Sequence, residues 1–254
     1  MEQTTRYNFL IRQGATVNPD VKLNGVSIHR GSSVTQNGIS GPVDHFLMPG
    51  DGNVLEVDMR YADPLDPATH FDVSIRRIED DSVIAALEWP GDFPALPPPA
   101  PPFPSIQLRT FSLPTDHPKP LFMSAPVERV QLEGTDETWK PVKELHAAMS
   151  RGDAVPIHDL FATRAQEFLR FHSLPDATPG GARAMIDAMM IGPYDLLPLD
   201  QGLVFREVAG GRGVQLIRLD DRPALAGICR TNPDYKYVSN PVLVRHEGAY
   251  RIVA

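Results

Sequence analysis

With one cysteine, Cys229, among 254 residues, this chain forms no internal disulfide and supplies no cysteine zinc cluster. Long apolar runs are missing too. The strongest, Val83-Ile84-Ala85-Ala86-Leu87, stops at Glu88, far short of the ~18 residues a membrane span requires. The opening MEQTTRYNFLIRQ has neither the basic start nor the apolar stretch of a secretory leader, so the expected location is cytoplasmic, with no membrane attachment. Basic residues are in the minority: 24 Lys and Arg against 32 Asp and Glu leave a formal charge of −8. That balance argues against nucleic acid as a partner, since phosphate binding calls for a basic surface. An apolar content of 42% and a charged content of 22% are those of a globular protein, and exclude collagen and wholesale disorder. The length suits two domains of ordinary size.

Proline is abundant and unevenly placed. Twelve of 26 prolines lie between Pro90 and Pro126, eight of them in Pro90 to Pro104. Proline lacks the backbone donor that helices and central strands need, so this stretch reads as an extended connector. The expected division is 1–89, a connector at 90–126, and 127–254.

Ahead of the connector the pattern is strand. Tyr7 to Arg12, Val43 to Met48, Val54 to Arg60, Phe71 to Ile78 and Ser82 to Trp89 are short runs between turn formers. Phe71, Val73 and Ile75 alternate with Asp72, Ser74 and Arg76, one face buried and one wet. Asn24-Gly25 between apolar flanks marks a hairpin. The expectation is an antiparallel β-sandwich. Leu23-Asn24-Gly25-Val26 with Phe46 to Val57 (FLMPGDGNVLEV) resembles the galactose-binding-like jelly rolls, which carry such a hairpin and a later G-x-N-x-L-x-V strand entry. The resemblance implies a fold and no sugar-binding residue.

After it, Ile106 to Leu113 and Val127 to Leu132 read as strands, then helices begin. Thr138 caps a helix that Gly152 ends, with Trp139, Val142, Leu145, His146 and Met149 on one face and Pro141 in its first turn. Asp153 caps a second helix, striped by Ile157, Leu160, Phe161, Ala165, Phe168 and Leu169. Thr178-Pro179 opens a third, with Met185 and Ile186 inward. Strands follow at Leu203 to Val208, Val214 to Leu219, Ala224 to Cys229, Lys236 to Arg245 and Tyr250 to Val253. Helices followed by a meander make the whole α+β. The helical start and the ending NPVLVRHEGAYRI, Asn240 to Ile252, resemble the nuclear transport factor 2-like family, with Tyr250 where that family usually has tryptophan. The resemblance implies a cone of three helices packed in a curved antiparallel sheet, used either as a pocket or as a binding surface.

Candidate chemistry is sparse. In such a cone His146, Tyr194, Asp195 and Arg206 are the pocket candidates, by position alone. No His-x-x-x-His, HExxH or G-x-S-x-G occurs, and His158 and His172, 14 residues apart on one helix, stand some 21 Å apart. No metal and no cofactor is expected. Cys229, in an apolar strand, reads as a core thiol, and Gly210 to Gly213 as a hairpin loop. The P-x-x-P spacings in Pro94 to Pro104 lack the accompanying basic residue of peptide ligands and read as linker. The front portion, to Pro126, carries nine basic and 15 acidic residues, with Asp63, Asp66, Glu79, Asp80 and Asp81 as a candidate acidic interface. The leading expectation is a non-catalytic protein that binds another, basic protein; by analogy of fold, a cytoplasmic immunity protein against a bacterial toxin. The alternatives are an isomerase- or hydrolase-type enzyme acting in the cone and a carbohydrate-binding module. A homodimer through the C-terminal sheet is a further expectation.

Overall fold

Asn24 and Gly25 take positive φ, 52° and 81°, the twist a two-residue hairpin turn needs. They join β2 (Val17–Leu23) to β3 (Val26–Arg30), much as the sequence indicates. The computed structural model describes residues 6–14, 17–31, 35–61, 70–89, 91–93, 105–171, 179–189, 192–200, 202–220 and 222–253. The chain divides into two compact units, Met1–Pro120 and Leu121–Ala254. Its secondary structure is mixed, α+β with a large share of antiparallel sheet.

The first unit adds β1 (Tyr7–Gln13), β4 (Thr35–Pro42), β5 (Gly50–Tyr61), β6 (Phe71–Arg77), β7 (Val83–Trp89) and β8 (Ser105–Leu113). Two four-stranded sheets result, ordered β4-β1-β6-β7 and β3-β2-β5-β8. Alternation works as expected: Ile11, Phe71, Val73 and Ile75 from one sheet and Val21, Leu23, Leu55, Val57 and Met59 from the other form one buried cluster. The unit is therefore a β-sandwich. Its boundary differs from the expected connector at 90–126. Strand β8 pairs along β5, Phe93 is buried in the sandwich core, and the unit runs on to Pro120. Composition marks the prolines but is blind to the strand pairing beyond them. Pro90 and 94–104, the proline-richest stretch and its P-x-x-P spacings, lie outside the described residues.

Two further readings change. Val43 to Met48 is no strand. Asp44–Phe46 forms a 3-10 turn, because the buried Asp44 carboxylate accepts the Tyr7 N–H at 2.9 Å. The two elements of the jelly-roll resemblance meet in space: Asn24 Nδ2 donates to Asn53 Oδ1 at 2.9 Å and to the Phe46 carbonyl at 2.7 Å. Asn24 Oδ1 in turn accepts the Val54 N–H, while Asn53 holds both backbone groups of Met48.

In the second unit, α1 (Asp136–Arg151) is capped by Thr135, three residues before the expected Thr138. The two threonines bond reciprocally as a capping box, which places Pro141 in the second turn. Gly152, at φ 74°, ends the helix as expected. Next come α2 (Ala154–Phe171) and α3 (Pro179–Met189), then β9 (Tyr194–Leu196), β10 (Leu203–Val208), β11 (Gly213–Arg218), β12 (Leu225–Cys229), β13 (Lys236–Ser239), β14 (Val242–His246) and β15 (Ala249–Ile252). They form sheets ordered β10-β11-β14-β15 and β13-β12-β9. Lys236 to Arg245 is thus two strands in two sheets, broken at Asn240-Pro241, where proline has no ladder donor. Val127 to Leu132 is irregular; its Glu128 N–H donates to the Gly211 carbonyl and its Leu132 carbonyl accepts the Phe205 N–H of β10, without forming a strand. The helical stripes meet the sheet in one cluster that includes Val142, Leu145, Phe161, Leu169, Phe205 and Leu243. Phe168 is half-buried, and the Met185 side chain lies outside the described residues.

Candidate functional site

The four pocket candidates do not converge. His146 Nε2–H donates to the Leu197 carbonyl at 2.9 Å and ties α1 to the end of β9. Neighbours on a strand point to opposite faces, which separates Tyr194 from Asp195. Tyr194 is buried edge-on against Tyr237, with ring centroids 6.0 Å apart. Asp195 is exposed and pairs with Arg230 at 3.2 Å. Arg206 alternates with the core residue Phe205, so it occupies the other face of β10, bonded to Gln215 opposite. Each is explained by folding alone.

The acidic candidates are likewise committed locally. Glu79, Asp80 and Asp81 form the exposed tip between β6 and β7. Asp80 pairs with Arg77 at 3.3 Å, Asp81 with Arg76 at 2.8 Å, and Glu79 accepts the Arg6 N–H. Bonds from the Ser82 hydroxyl and N–H hold the Asp80 carboxyl below its ordinary range. The three carboxylates are thus held in a turn, two of them by arginines of β6. Asp63 and Asp66 lie outside the described residues.

What sequence reasoning passed over is a groove of about 300 Å³ in the second unit. One wall is a single face of α1, Glu137, Lys140, Pro141 and Glu144, at helical spacing; Asp159 and Leu160 of α2 extend it. The other wall is Gly248 through Ile252. Five consecutive residues, rather than alternate ones, line it, so the backbone edge of β15 forms this wall. β15 is also the end strand of its sheet. Glu247 and Gly248, at φ 50° and 78°, make the two-residue turn that joins it to β14. The closing pair, His246 and Ala249, is hydrogen-bonded in such a turn. The alternation therefore directs the N–H and C=O of Tyr250 and Ile252 away from β14, toward the groove.

The rim is braced by charge. Arg245 meets Glu128 at 2.8 Å and Glu137 at 2.5 Å and lies over the Tyr250 ring, 4.9 Å from its centroid. These bonds raise the guanidinium pKa above its already high value. Burial, with donation to Glu128 at 2.8 Å, pushes the Tyr250 hydroxyl up to about 12. Tyr250 is therefore a neutral, fixed donor at physiological pH, unsuited to acid-base work there. The sequence signal for this place is the hairpin ending VRHEGAYRI, which reads only as structure.

Among the described residues, no group of three or more His, Cys, Asp or Glu is placed to hold a metal ion. His158 instead bonds Asp187 of α3 at 2.8 Å, and His172 lies outside the described residues. Cys229 is buried at the end of β12, 3.2 Å from the Thr231 hydroxyl. No described helix is long and apolar enough to cross a membrane. No protein-family model, curated protein or solved structure matches this chain, so the two family resemblances stand as readings of its residues alone.

Proposed function

We propose that this chain is a non-catalytic binding protein whose second unit receives an extended segment of a partner protein along β15. The observation that carries the reading is the groove, where a strand edge with outward backbone groups faces a helical wall of apolar and charged side chains. Added strands gain affinity from main-chain hydrogen bonds and specificity from alternate side-chain contacts. Pro141 and Leu160 offer apolar contact; Glu144 and Asp159 offer carboxylates to a basic residue of the partner. A basic toxin segment, bound by an immunity protein, is one partner of this chemistry.

The nuclear transport factor 2-like cone and the jelly-roll sandwich belong to the same proposal. Support for the first is the order of three helices before the strands and the apolar cluster between them. Support for the second is the pair of four-stranded sheets and the Asn24–Asn53 interlock.

Selection from a displayed library of random extended peptides tests the proposal. Enriched peptides with alternating apolar and basic positions are expected, and Leu160→Arg, which fills the groove, abolishes their binding. Charge reversal at Glu79, Asp80 and Asp81 leaves it intact. No enrichment, or enrichment indifferent to Leu160→Arg, overturns the reading. Dimerisation lost with Leu160→Arg assigns the edge to a second copy instead. Turnover of a small substrate that vanishes with His146→Ala restores the enzyme.

A further inference from the structure

We propose that Tyr7, Asp44 and His117 form a proton-operated clasp on the first unit. It holds segment 114–120 closed while Asp44 carries a proton and loosens when Asp44 ionises. The segment lies between β8 and the end of the unit, and is exposed from Pro114 to Asp116 and at Lys119. His117 is its buried plug. The ring stacks edge-on against Tyr7, centroids 5.6 Å apart, and its Nε2 stands 3.5 Å from the Asp44 carbonyl oxygen.

Asp44 itself is 1% exposed. One carboxyl oxygen accepts the Tyr7 N–H at 2.9 Å; the other is buried with no hydrogen-bond donor among the described residues. An ionised carboxylate so buried, with one oxygen left without a donor, is costly; a protonated one is tolerated. Around it stand Arg6, whose charge favours ionisation, and Glu79, which opposes it; Arg77 faces the Tyr7 hydroxyl and Asp116 faces His117. Burial outweighs the Tyr7 N–H, Asp44's own N–H and Arg6, and pushes Asp44 up to about 7. Burial also pushes His117 below its ordinary value, so closure disfavours the charged form of both groups. β1 is fixed by two sheet neighbours. The segment carrying His117 belongs to no sheet; its His117 N–H closes a turn on the Pro114 carbonyl at 3.1 Å. It is the element that yields when water must reach the carboxylate.

The two groups bias opening in opposite directions. With Asp44 at about 7 closed and 3.8 open, opening grows about 10-fold between pH 6.0 and 8.5. His117, held below its ordinary value when closed and released to it when open, makes opening fall over the same range, by about 4-fold at most. Exchange of the His117 amide hydrogen, which is bonded to the Pro114 carbonyl, measures opening directly in the full chain once corrected for the intrinsic pH dependence of exchange. Asp44→Asn, which keeps the Tyr7 bond and cannot ionise, shows only the fall. His117→Phe, which keeps the plug and cannot titrate, shows only the rise. Wild type lies between them. Identical profiles for wild type and Asp44→Asn, or no rise in His117→Phe, overturn the clasp.

Discussion

Phe161 gives the sharpest test of how the second unit is held together. Its ring is 1% exposed, sits in the same cluster as Leu145, Phe205 and Leu243, and carries the Arg164 guanidinium 5.6 Å from its centroid. Phe161→Ala removes a fully buried aromatic from between helices and sheet, a change that costs about 3–5 kcal/mol. With a urea slope of about 2 kcal/mol per M, the unfolding midpoint falls by about 2 M. The chain's two tryptophans report on the two units separately. Trp89 packs edge-on against Phe93 in the first, and Trp139 against Phe205 in the second. In a Trp89→Phe background the fluorescence transition of Trp139 shifts by the full amount. In a Trp139→Phe background that of Trp89 stays where it was. A Trp139 midpoint unchanged by Phe161→Ala refutes the assignment of the buried face. An equal shift of both tryptophans refutes the assignment of Phe161 to the core of the second unit alone.

Gly227→Ala places a Cβ 2.7 Å from the Asp195 carbonyl and 3.0 Å from the Leu196 Cα, both backbone, so thermal unfolding shows a lowered midpoint with the β9–β12 pairing lost first in hydrogen exchange. Asn53→Ala strands the Met48 N–H and the Asn24 amide, and costs about 2–3 kcal/mol in a denaturant titration followed through Trp89. Asp200→Ala lowers the melting temperature more than Asp220→Ala does, because the first leaves the buried Arg218 without its carboxylate whereas the partner of the second, Arg222, is exposed. Asp80, Asp200 and Asp220 all have folded pKa values below their ordinary value of 3.8. Their contribution to stability is complete above about pH 4 and fades as pH falls through the folded values, a loss visible in acid titrations followed by circular dichroism.

Much of the local structure was legible in the residues. The Asn24-Gly25 hairpin, the alternation along Phe71 to Ile75, the stripes of α1 and α2 and the Gly152 stop all arise from preferences acting within a few positions. What failed, failed where distant groups intervene. Val43 to Met48 has the composition of a strand, but a carboxylate at position 44 serves a backbone donor 37 residues earlier. Lys236 to Arg245 looks continuous until one half joins β12 and the other β11.

The candidate sites divide in the same way. Position in the expected cone singled out His146, Tyr194, Asp195 and Arg206, yet strand parity set the last three on different faces, His146 sits on α1, and each has a structural partner. The groove beside β15 and the Asp44–His117 pair had no local signature, since their members lie scores of residues apart. By itself the sequence determined which segments turn, cap or alternate, because those energies act between near neighbours. Only the tertiary structure decided which strand became an open edge and which carboxylate lost its water. Both follow from register and burial, which exist only once distant segments have packed.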